Sequence, residues 1–207
     1  MTNEKYGLIG KTLVHSYSKE IHEALGRYQY QLFSLAEDEM PDFINARDFR
    51  GLNVTIPYKK DVIPLCDEVT DLARGIGAVN TLFWKNASET GASESISQED
   101  KILVGHNTDY EGFLYTASRA GIDFEGKGVL ILGTGGTSLM ARRAAADQNA
   151  AKIYIASRHP ETDPPSGSEI QDAGILSTVS YDQLPEIADS IDRSEEHTSE
   201  LQSRQVI

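Results

Sequence analysis

The chain has 207 residues, of which 39% are hydrophobic and 25% charged, and 32 acidic against 19 basic side chains give a formal net charge of −13. These values indicate a folded protein of one large or two small domains, and so negative a surface argues against nucleic-acid or membrane binding. No apolar run approaches the roughly 20 residues that a bilayer span needs, and no secretory signal opens the chain. The single cysteine, Cys66, excludes an internal disulfide framework. We therefore expect a cytoplasmic protein.

Short apolar runs alternate with helical patterns in the first half of the chain. The runs that predict strands are 6–9, 28–33, 51–56, 78–84 and 102–105. Three segments predict helices. The first begins at Ser18, which has the residue type of an N-cap, and the other two are 37–47 and 57–74. Because this alternation requires crossover connections, we expect an open, mostly parallel α/β sheet.

The segment 86–101 separates the last two of these strands and is rich in serine and glutamate. Its composition predicts a solvated hairpin insertion.

A second α/β unit is predicted after the helix 109–121. The strand 129–132 contains no polar residue, so we expect it to be buried on both faces. A helix to about residue 149 and a strand at 153–156 complete a βαβ unit. A third strand at 175–179 and a short helix at 184–191 follow.

A glycine-rich turn joins the strand at 129–132 to the following helix. Its residues are Gly133, Thr134, Gly135, Gly136 and Thr137. Gly133 permits a tight turn, and Gly135 allows the backbone to approach a pyrophosphate, which the free N–H groups of the helix start would bind. The third glycine of the G-x-G-x-x-G pattern that is usual in dinucleotide-binding turns is replaced here by Ser138. The alternative is a glycine-rich loop that binds nothing.

The next strand ends at Ser157-Arg158, where an NAD site would usually carry an acid. An arginine would instead pair with the 2′-phosphate of NADP(H). The sequence therefore favours NADP(H), unless Arg158 is a solvent-exposed loop residue.

Four polar clusters lie at strand ends or helix starts of the first unit. They are HSYS at 15–18, NVTIPYK at 53–59, GAVNT at 77–81 and GHNTD at 105–109. Ligands of open α/β sheets bind at the carboxyl ends of strands, so these clusters predict one pocket for a small, hydroxylated anion.

With these clusters and the glycine turn, the chain resembles the NADP-dependent shikimate dehydrogenases. Five motifs occur in the family's order over about residues 6–160. The departures are Lys19 in place of the usual proline, the longer insertion at 86–101, and Ser-Arg-His in place of the commoner Asn-Arg-Thr at 157–159.

The resemblance implies a set of substrate ligands. Ser16 and Ser18 would bind the substrate carboxylate, and Thr55, Asn80 and Asp109 would bind the ring hydroxyls. Taken singly, Ser18 and Asp109 are equally compatible with helix caps.

The resemblance also implies Lys59 and Asp109 as the catalytic pair of a reversible NADPH-dependent reduction of 3-dehydroshikimate. An ammonium group suits this chemistry, because it stabilises a developing alkoxide and then donates a proton. Lys59 as a surface lysine is the alternative. The implied cofactor ligands are the five turn residues, Ser157, Arg158 and Asp71, the last near the nicotinamide.

The implied organisation is a substrate-binding catalytic domain at 1–108, an incomplete Rossmann-like NADP(H)-binding domain at 109–192, and a disordered, non-native tail at 193–207. We expect the protein to be a monomer or a homodimer. A complete doubly wound domain has six strands, and too few residues follow Leu132 to supply them. We therefore expect a truncated chain with at most trace activity. The alternatives are a quinate/shikimate dehydrogenase that uses NAD and a non-catalytic shikimate-binding fragment.

Overall fold

The computed structural model describes residues 5–86, 101–162 and 175–191. Contacts divide the chain into two compact units. The first consists of Met1–Arg74 and Ala78–Thr108, and the second of Gly75–Gly77 and Asp109–Ile207. The interior of the predicted insertion (87–100) and the predicted tail lie outside the described residues.

The first unit contains one six-stranded mixed sheet. Its strands are β1 (Tyr6–Gly10), β2 (Tyr30–Ser34), β3 (Gly51–Val54), β4 (Glu68–Val69), β5 (Thr81–Asn86) and β6 (Lys101–His106), and its helices are α1 (Ser18–Leu25), α2 (Glu39–Asn45) and α3 (Asp71–Ile76). The strand order is β2-β1-β3-β5-β6-β4. The pairs β1–β2, β1–β3 and β4–β6 are parallel, and only β5 runs antiparallel to its neighbours. The prediction of an open, mostly parallel α/β sheet is confirmed.

The main core of this unit lies on one face of the sheet. Its fully packed members include Leu52 and Val54 of β3, Ile9 of β1 and Leu103 of β6. Side chains alternate along a strand, so Asn53 lies on the face opposite its two neighbours. The alternation of β3 thus brings a polar side chain to the other face of the sheet.

Cys66 packs at the edge of this core and donates a hydrogen bond from its thiol to the Val62 carbonyl oxygen, 3.3 Å away. Burial raises the pKa of the thiol to about 11. The group is therefore protonated at neutral pH, and Cys66 behaves as a small core residue.

The predicted helix over 57–74 is wrong. The structure has turns at 57–62, a 3-10 helix at Ile63–Leu65, the short strand β4, and a helix only from Asp71. Long-range pairing explains the difference. Glu68 is the register partner of Val104, and the Asp67 carboxylate accepts a hydrogen bond from the Leu103 N–H at 2.6 Å.

The predicted N-cap at Ser18 is also wrong. Ser18 is the first helical residue of α1, Tyr17 holds the cap position, and no side chain caps the helix. The Ser18 N–H instead donates to the hydroxyl oxygen of Ser16 at 3.3 Å. None of the eight residues of α1 is buried, and its apolar side chains Ile21 and Leu25 are 54% and 85% exposed.

The second unit contains a three-stranded parallel sheet. Its strands are β7 (Gly128–Leu132), β8 (Lys152–Ser157) and β9 (Leu176–Ser180), and its helices are α4 (Asp109–Arg119), α5 (Gly136–Asp147) and α6 (Leu184–Ile187). The order is β7-β8-β9, and both pairs are parallel. The predicted βαβ unit and third strand are confirmed.

One face of this sheet packs well. Ile131 of β7 and Ile153 of β8 form a core with Ala141 and Ala145 of α5. On the opposite face of β7, Leu130 and Leu132 remain partly exposed. The expectation that β7 is buried on both faces is therefore wrong, because three of its five residues, Val129, Leu130 and Leu132, are only partly buried.

Within the described ranges, no helix has the length and hydropathy of a membrane span.

Candidate functional site

The sheet topology of the first unit brings two of the predicted substrate residues, Thr55 and Asn80, to one edge. The parallel strands β1, β3 and β6 end there, and because β5 runs in the opposite direction, it begins there. Thr55 follows β3, Thr108 follows β6, and Asn80 immediately precedes β5. Three segments that are distant in sequence therefore meet at this edge.

Asn80 is the most extensively hydrogen-bonded of these side chains. It is buried, with 7% of its surface exposed. Its Oδ1 accepts hydrogen bonds from the Thr108 N–H at 2.9 Å and from the Thr81 hydroxyl at 2.9 Å. Its Nδ2 donates to Thr108 Oγ1 at 3.1 Å. The amide is thus held by backbone and side chains of two segments.

The contacts continue from Thr81 across the sheet. Asn53 Nδ2 donates to Thr81 Oγ1 at 3.4 Å, and the Tyr30 hydroxyl donates to Asn53 Oδ1 at 2.7 Å. Burial raises the pKa of Tyr30, and the ring of His22 stacks on it at 4.1 Å between centroids. Tyr30, Asn53, Thr81 and Thr108 were not predicted from the sequence as site residues, although the last three lie within the polar clusters.

Ser16, Ser18 and Thr55 are half-buried. The Thr55 N–H donates to the Ile9 carbonyl oxygen at 2.9 Å, which holds Thr55 against the end of β1. A Cβ on Gly10 would lie 2.7 Å from Thr55 Cγ2, so the absence of a side chain at position 10 permits this close approach.

Lys59 lies in the turn region after β3 and is half-buried, whereas the adjacent Lys60 is exposed. The Lys59 carbonyl oxygen accepts a hydrogen bond from the Val79 N–H at 2.7 Å. This bond ties the backbone of Lys59 to the segment that carries Asn80. Asp109 and Asp71 are the first residues of α4 and α3, half-buried and exposed respectively.

In the second unit, the structural reason for glycine differs between two positions of the turn. Gly133 has a φ of +96°, a conformation that side-chain-bearing residues rarely adopt, and its N–H donates to the Ala156 carbonyl oxygen at 2.9 Å. Gly135 has an ordinary φ of −67°, and a Cβ there would meet nothing within 4 Å. The described protein gives no steric reason for glycine at 135, whereas a bound group in that open space would.

The start of α5 contains a buried side-chain pair that the sequence analysis missed. Ser138, at the fingerprint's third glycine position, is buried, and its hydroxyl oxygen accepts a hydrogen bond from Arg142 Nε at 3.2 Å. Spacing of four residues on a helix predicts such a contact, but it does not predict burial of the arginine.

At the end of β8, Ser157 is buried and its hydroxyl oxygen accepts a hydrogen bond from the His159 N–H at 2.9 Å. Arg158 between them is exposed. This turn therefore leaves the guanidinium group accessible to an anion. Among the described residues, no three His, Cys, Asp or Glu side chains form a group that could hold a metal ion.

Comparison with known proteins gives one consistent result. A family model described as the shikimate dehydrogenase substrate binding domain matches residues 8–82. The shikimate dehydrogenase (NADP(+)) of Clostridium botulinum strain Hall is 36% identical over 163 residues, which cover 75% of this chain and 58% of that protein.

Two solved structures have a similar fold. The shikimate 5-dehydrogenase of Thermus thermophilus, in complex with NADP(H) and shikimate, matches with a TM-score of 0.67 and 26% identity over 88% of this chain and 65% of that one. The enzyme of Listeria monocytogenes, in complex with shikimate and NAD, matches with a TM-score of 0.68 and 26% identity over 90% and 64%. The chain spans less than two thirds of each of these three proteins.

Proposed function

The chain belongs to the shikimate dehydrogenase family, and on this premise we propose that it binds shikimate and 3-dehydroshikimate and takes part in their NADP(H)-dependent interconversion. One observation carries the proposal: the match to the family's substrate binding domain, over residues 8–82, contains Ser16, Lys59 and Asn80. The proposed domains are a substrate-binding domain at 1–108 and an NADP(H)-binding domain at 109–192.

In the proposed reaction, bound NADPH supplies a hydride to the carbonyl carbon of 3-dehydroshikimate. The Lys59 ammonium group stabilises the charge that develops on the carbonyl oxygen and donates a proton to it, and the reverse direction returns the proton to Lys59. Asp109 accepts a hydrogen bond from the substrate hydroxyl and orients it. Lys59 and Asp109 are thus the proposed catalytic pair.

The proposed substrate contacts are those that the family resemblance implies. Ser16 and Ser18 donate hydroxyl hydrogen bonds to the substrate carboxylate. Thr55 and Asn80 bind ring hydroxyls together with Asp109. The half-buried position of both serines and Thr55 supports this assignment, because such side chains are accessible and yet held by their surroundings.

The proposed cofactor is NADP(H). The open space at Gly135 fits a phosphate group close to the backbone, and the exposed Arg158 fits a 2′-phosphate. The residues that would hold the cofactor are Gly133, Thr134, Gly135, Gly136, Thr137, Ser157, Arg158 and Asp71. A complex of the Listeria relative with NAD supports NAD as the alternative cofactor.

The decisive test is titration of the purified chain with shikimate by calorimetry, combined with an assay of NADPH formation from shikimate and NADP⁺. We expect saturable shikimate binding that is tighter than quinate binding. Binding without any turnover would favour a non-catalytic shikimate-binding protein. Turnover with NAD⁺ in preference to NADP⁺ would favour the alternative cofactor, and absence of both binding and turnover would reject the proposal.

The two glycines of the turn are expected to respond differently to alanine. Gly133→Ala should lower the free energy of unfolding by about 1–2 kcal/mol, because its φ of +96° is unfavourable for a residue with a Cβ. Gly135→Ala should cost only about 0.5 kcal/mol, as at other helix N-cap positions, but weaken NADP⁺ binding at least about 10-fold. Urea unfolding and NADP⁺ titration measure the two effects, and unchanged NADP⁺ binding by Gly135→Ala would contradict the proposed contact.

A further inference from the structure

The buried amide of Asn80 is linked by hydrogen bonds to side chains on three strands. We propose that Tyr30, Asn53 and Thr81 are positioning residues, which fix the Asn80 amide so that it presents an N–H donor to a hydroxyl oxygen of the ligand. The inference rests on the proposed function for the identity of that ligand. The hydrogen-bond pattern itself depends only on the geometry of the first unit.

The orientation of the amide follows from the backbone of Thr108. A backbone N–H can only donate, so the Asn80 atom that lies 2.9 Å from it must be the carbonyl oxygen. Thr81 Oγ1 lies at the same distance from that oxygen and supplies a second donor. The two lone pairs of Oδ1 are then occupied, which leaves the carbonyl oxygen of Asn80 no capacity to accept from a ligand.

The amide nitrogen retains a donor. Asn80 Nδ2 carries two hydrogens, and one is used in the bond to Thr108 Oγ1 at 3.1 Å. The second hydrogen is available to an acceptor at the strand edge. Asn80 therefore selects an acceptor, and a sugar-like or cyclitol-like hydroxyl whose own proton is directed elsewhere meets this requirement.

Hydrogen bonds link Tyr30, Asn53, Thr81 and Asn80 in series, and we call this series the relay. The direction of each hydrogen bond in it determines the direction of the next. The Tyr30 hydroxyl donates to Asn53 Oδ1 at 2.7 Å, which orients Asn53 Nδ2 toward Thr81 Oγ1 at 3.4 Å. Thr81 Oγ1 lies 2.9 Å from Asn80 Oδ1 and 3.3 Å from Thr108 Oγ1. Because the amide oxygen can only accept and is the nearer of the two, the single proton of Thr81 is directed to it. A chain of donors thus runs from Tyr30 to Asn80.

The relay is built into the sheet. Asn53 of β3 and Thr81 of β5 are direct register partners, and Tyr30 of β2 reaches Asn53 from beyond β1. Tyr30 is 2% exposed and packs with Leu8 and Leu13, so water does not compete at its end of the relay. Hydrogen bonds in such surroundings are electrostatically stronger than in water.

The first arm of the test observes the amide without any ligand. In ¹H–¹⁵N spectra of the full chain, we expect the two Nδ2 protons of Asn80 to be distinct and one to be protected from exchange. Thr81→Val, which removes the hydroxyl and keeps the shape, should reduce the protection, because Asn80 Oδ1 loses one donor while the Thr108 N–H still holds it. Thr81→Ser should retain the protection, and Tyr30→Phe should reduce it less than Thr81→Val does. Unchanged Asn80 signals in Thr81→Val would overturn the proposal.

The second arm measures shikimate binding by calorimetry. Thr81→Val is expected to weaken binding about 10-fold and Thr81→Ser less than about 3-fold, as expected for loss or retention of a buried hydrogen bond. In an Asn80→Ala background, Thr81→Val should have no further effect, because Thr81 acts through Asn80. Additive losses would instead indicate a general structural role and overturn the proposal.

Two controls keep the arms separate. Thr116→Val removes a hydroxyl on α4 that donates only to the Gly112 carbonyl oxygen in the same helix, so it should leave binding unchanged. Thermal unfolding of each variant identifies any that fail to fold. If the wild-type chain binds no shikimate, the proposed function fails, and the spectra of the free protein still decide whether the relay holds Asn80.

Discussion

Lys59→Met is expected to lower NADP⁺-dependent oxidation of shikimate by about 10²–10⁴-fold below the trace rate expected of the unsubstituted chain, the usual contribution of a positioned acid/base group. Methionine retains a long apolar side chain and removes the ammonium group. The backbone bond between the Lys59 carbonyl oxygen and the Val79 N–H does not depend on the side chain, so the turn should persist. The initial rate of NADPH formation at saturating shikimate measures the effect.

Lys60→Met is the matched control, because it removes the same charge from the adjacent exposed position. It should keep the wild-type rate. Calorimetry should show that Lys59→Met still binds shikimate, since the serine, threonine and amide contacts remain. Equal rates for the two variants would refute the assignment of Lys59, and loss of binding in Lys59→Met alone would make it a binding residue.

Arg158→Ala is expected to raise the Kd of NADP⁺ about 10–100-fold, since a charge-assisted hydrogen bond contributes about 1.5–3 kcal/mol. NAD⁺ lacks the 2′-phosphate, so its affinity should change less than about 2-fold. Arg158 is exposed at the end of β8, so its removal should leave the stability of the second unit nearly unchanged. Titration of both dinucleotides, monitored by calorimetry, gives the ratio of the two effects.

Arg119→Ala serves as the charge control, because Arg119 is an exposed arginine at the end of α4 in the same unit. This variant tests whether the affinity for NADP⁺ depends merely on the net charge of the protein. We expect it to change the affinity for neither NADP⁺ nor NAD⁺. An equal loss of NADP⁺ and NAD⁺ binding in Arg158→Ala would point to the shared pyrophosphate and contradict a role at the 2′-phosphate.

Local sequence patterns predicted most elements of the fold. The apolar runs at 6–9 and 153–156 correspond to β1 and β8, and the glycine turn lies between β7 and α5 as expected. These features are set by alternation of side chains and by turn residues, which act over a few neighbours. Family membership was also predictable, since five motifs occur in order within one chain.

Hydrogen-bonding partners decided the outcome where prediction failed. The segment 57–74 has a helical pattern, but pairing of Glu68–Val69 with β6 produces a strand in it. Ser18 has the residue type of an N-cap, but the helix begins one residue earlier than that assignment requires, and Ser16 accepts the Ser18 N–H. In the first case a strand distant in the chain changed the outcome, and in the second a hydroxyl two residues away did so.

The amino-acid sequence alone determined the class of fold, the family and the chemical types of the proposed ligands, because these depend on periodicity and on motifs that are contiguous in the chain. It did not determine which way the Asn80 amide faces. Thr81 adjoins Asn80 in the chain, but Thr108 follows β6, and Asn53 and Tyr30 lie on two other strands. Only folding of the sheet brings these donors and acceptors within hydrogen-bond distance, and hydrogen bonds are directional enough that their positions then permit a single orientation.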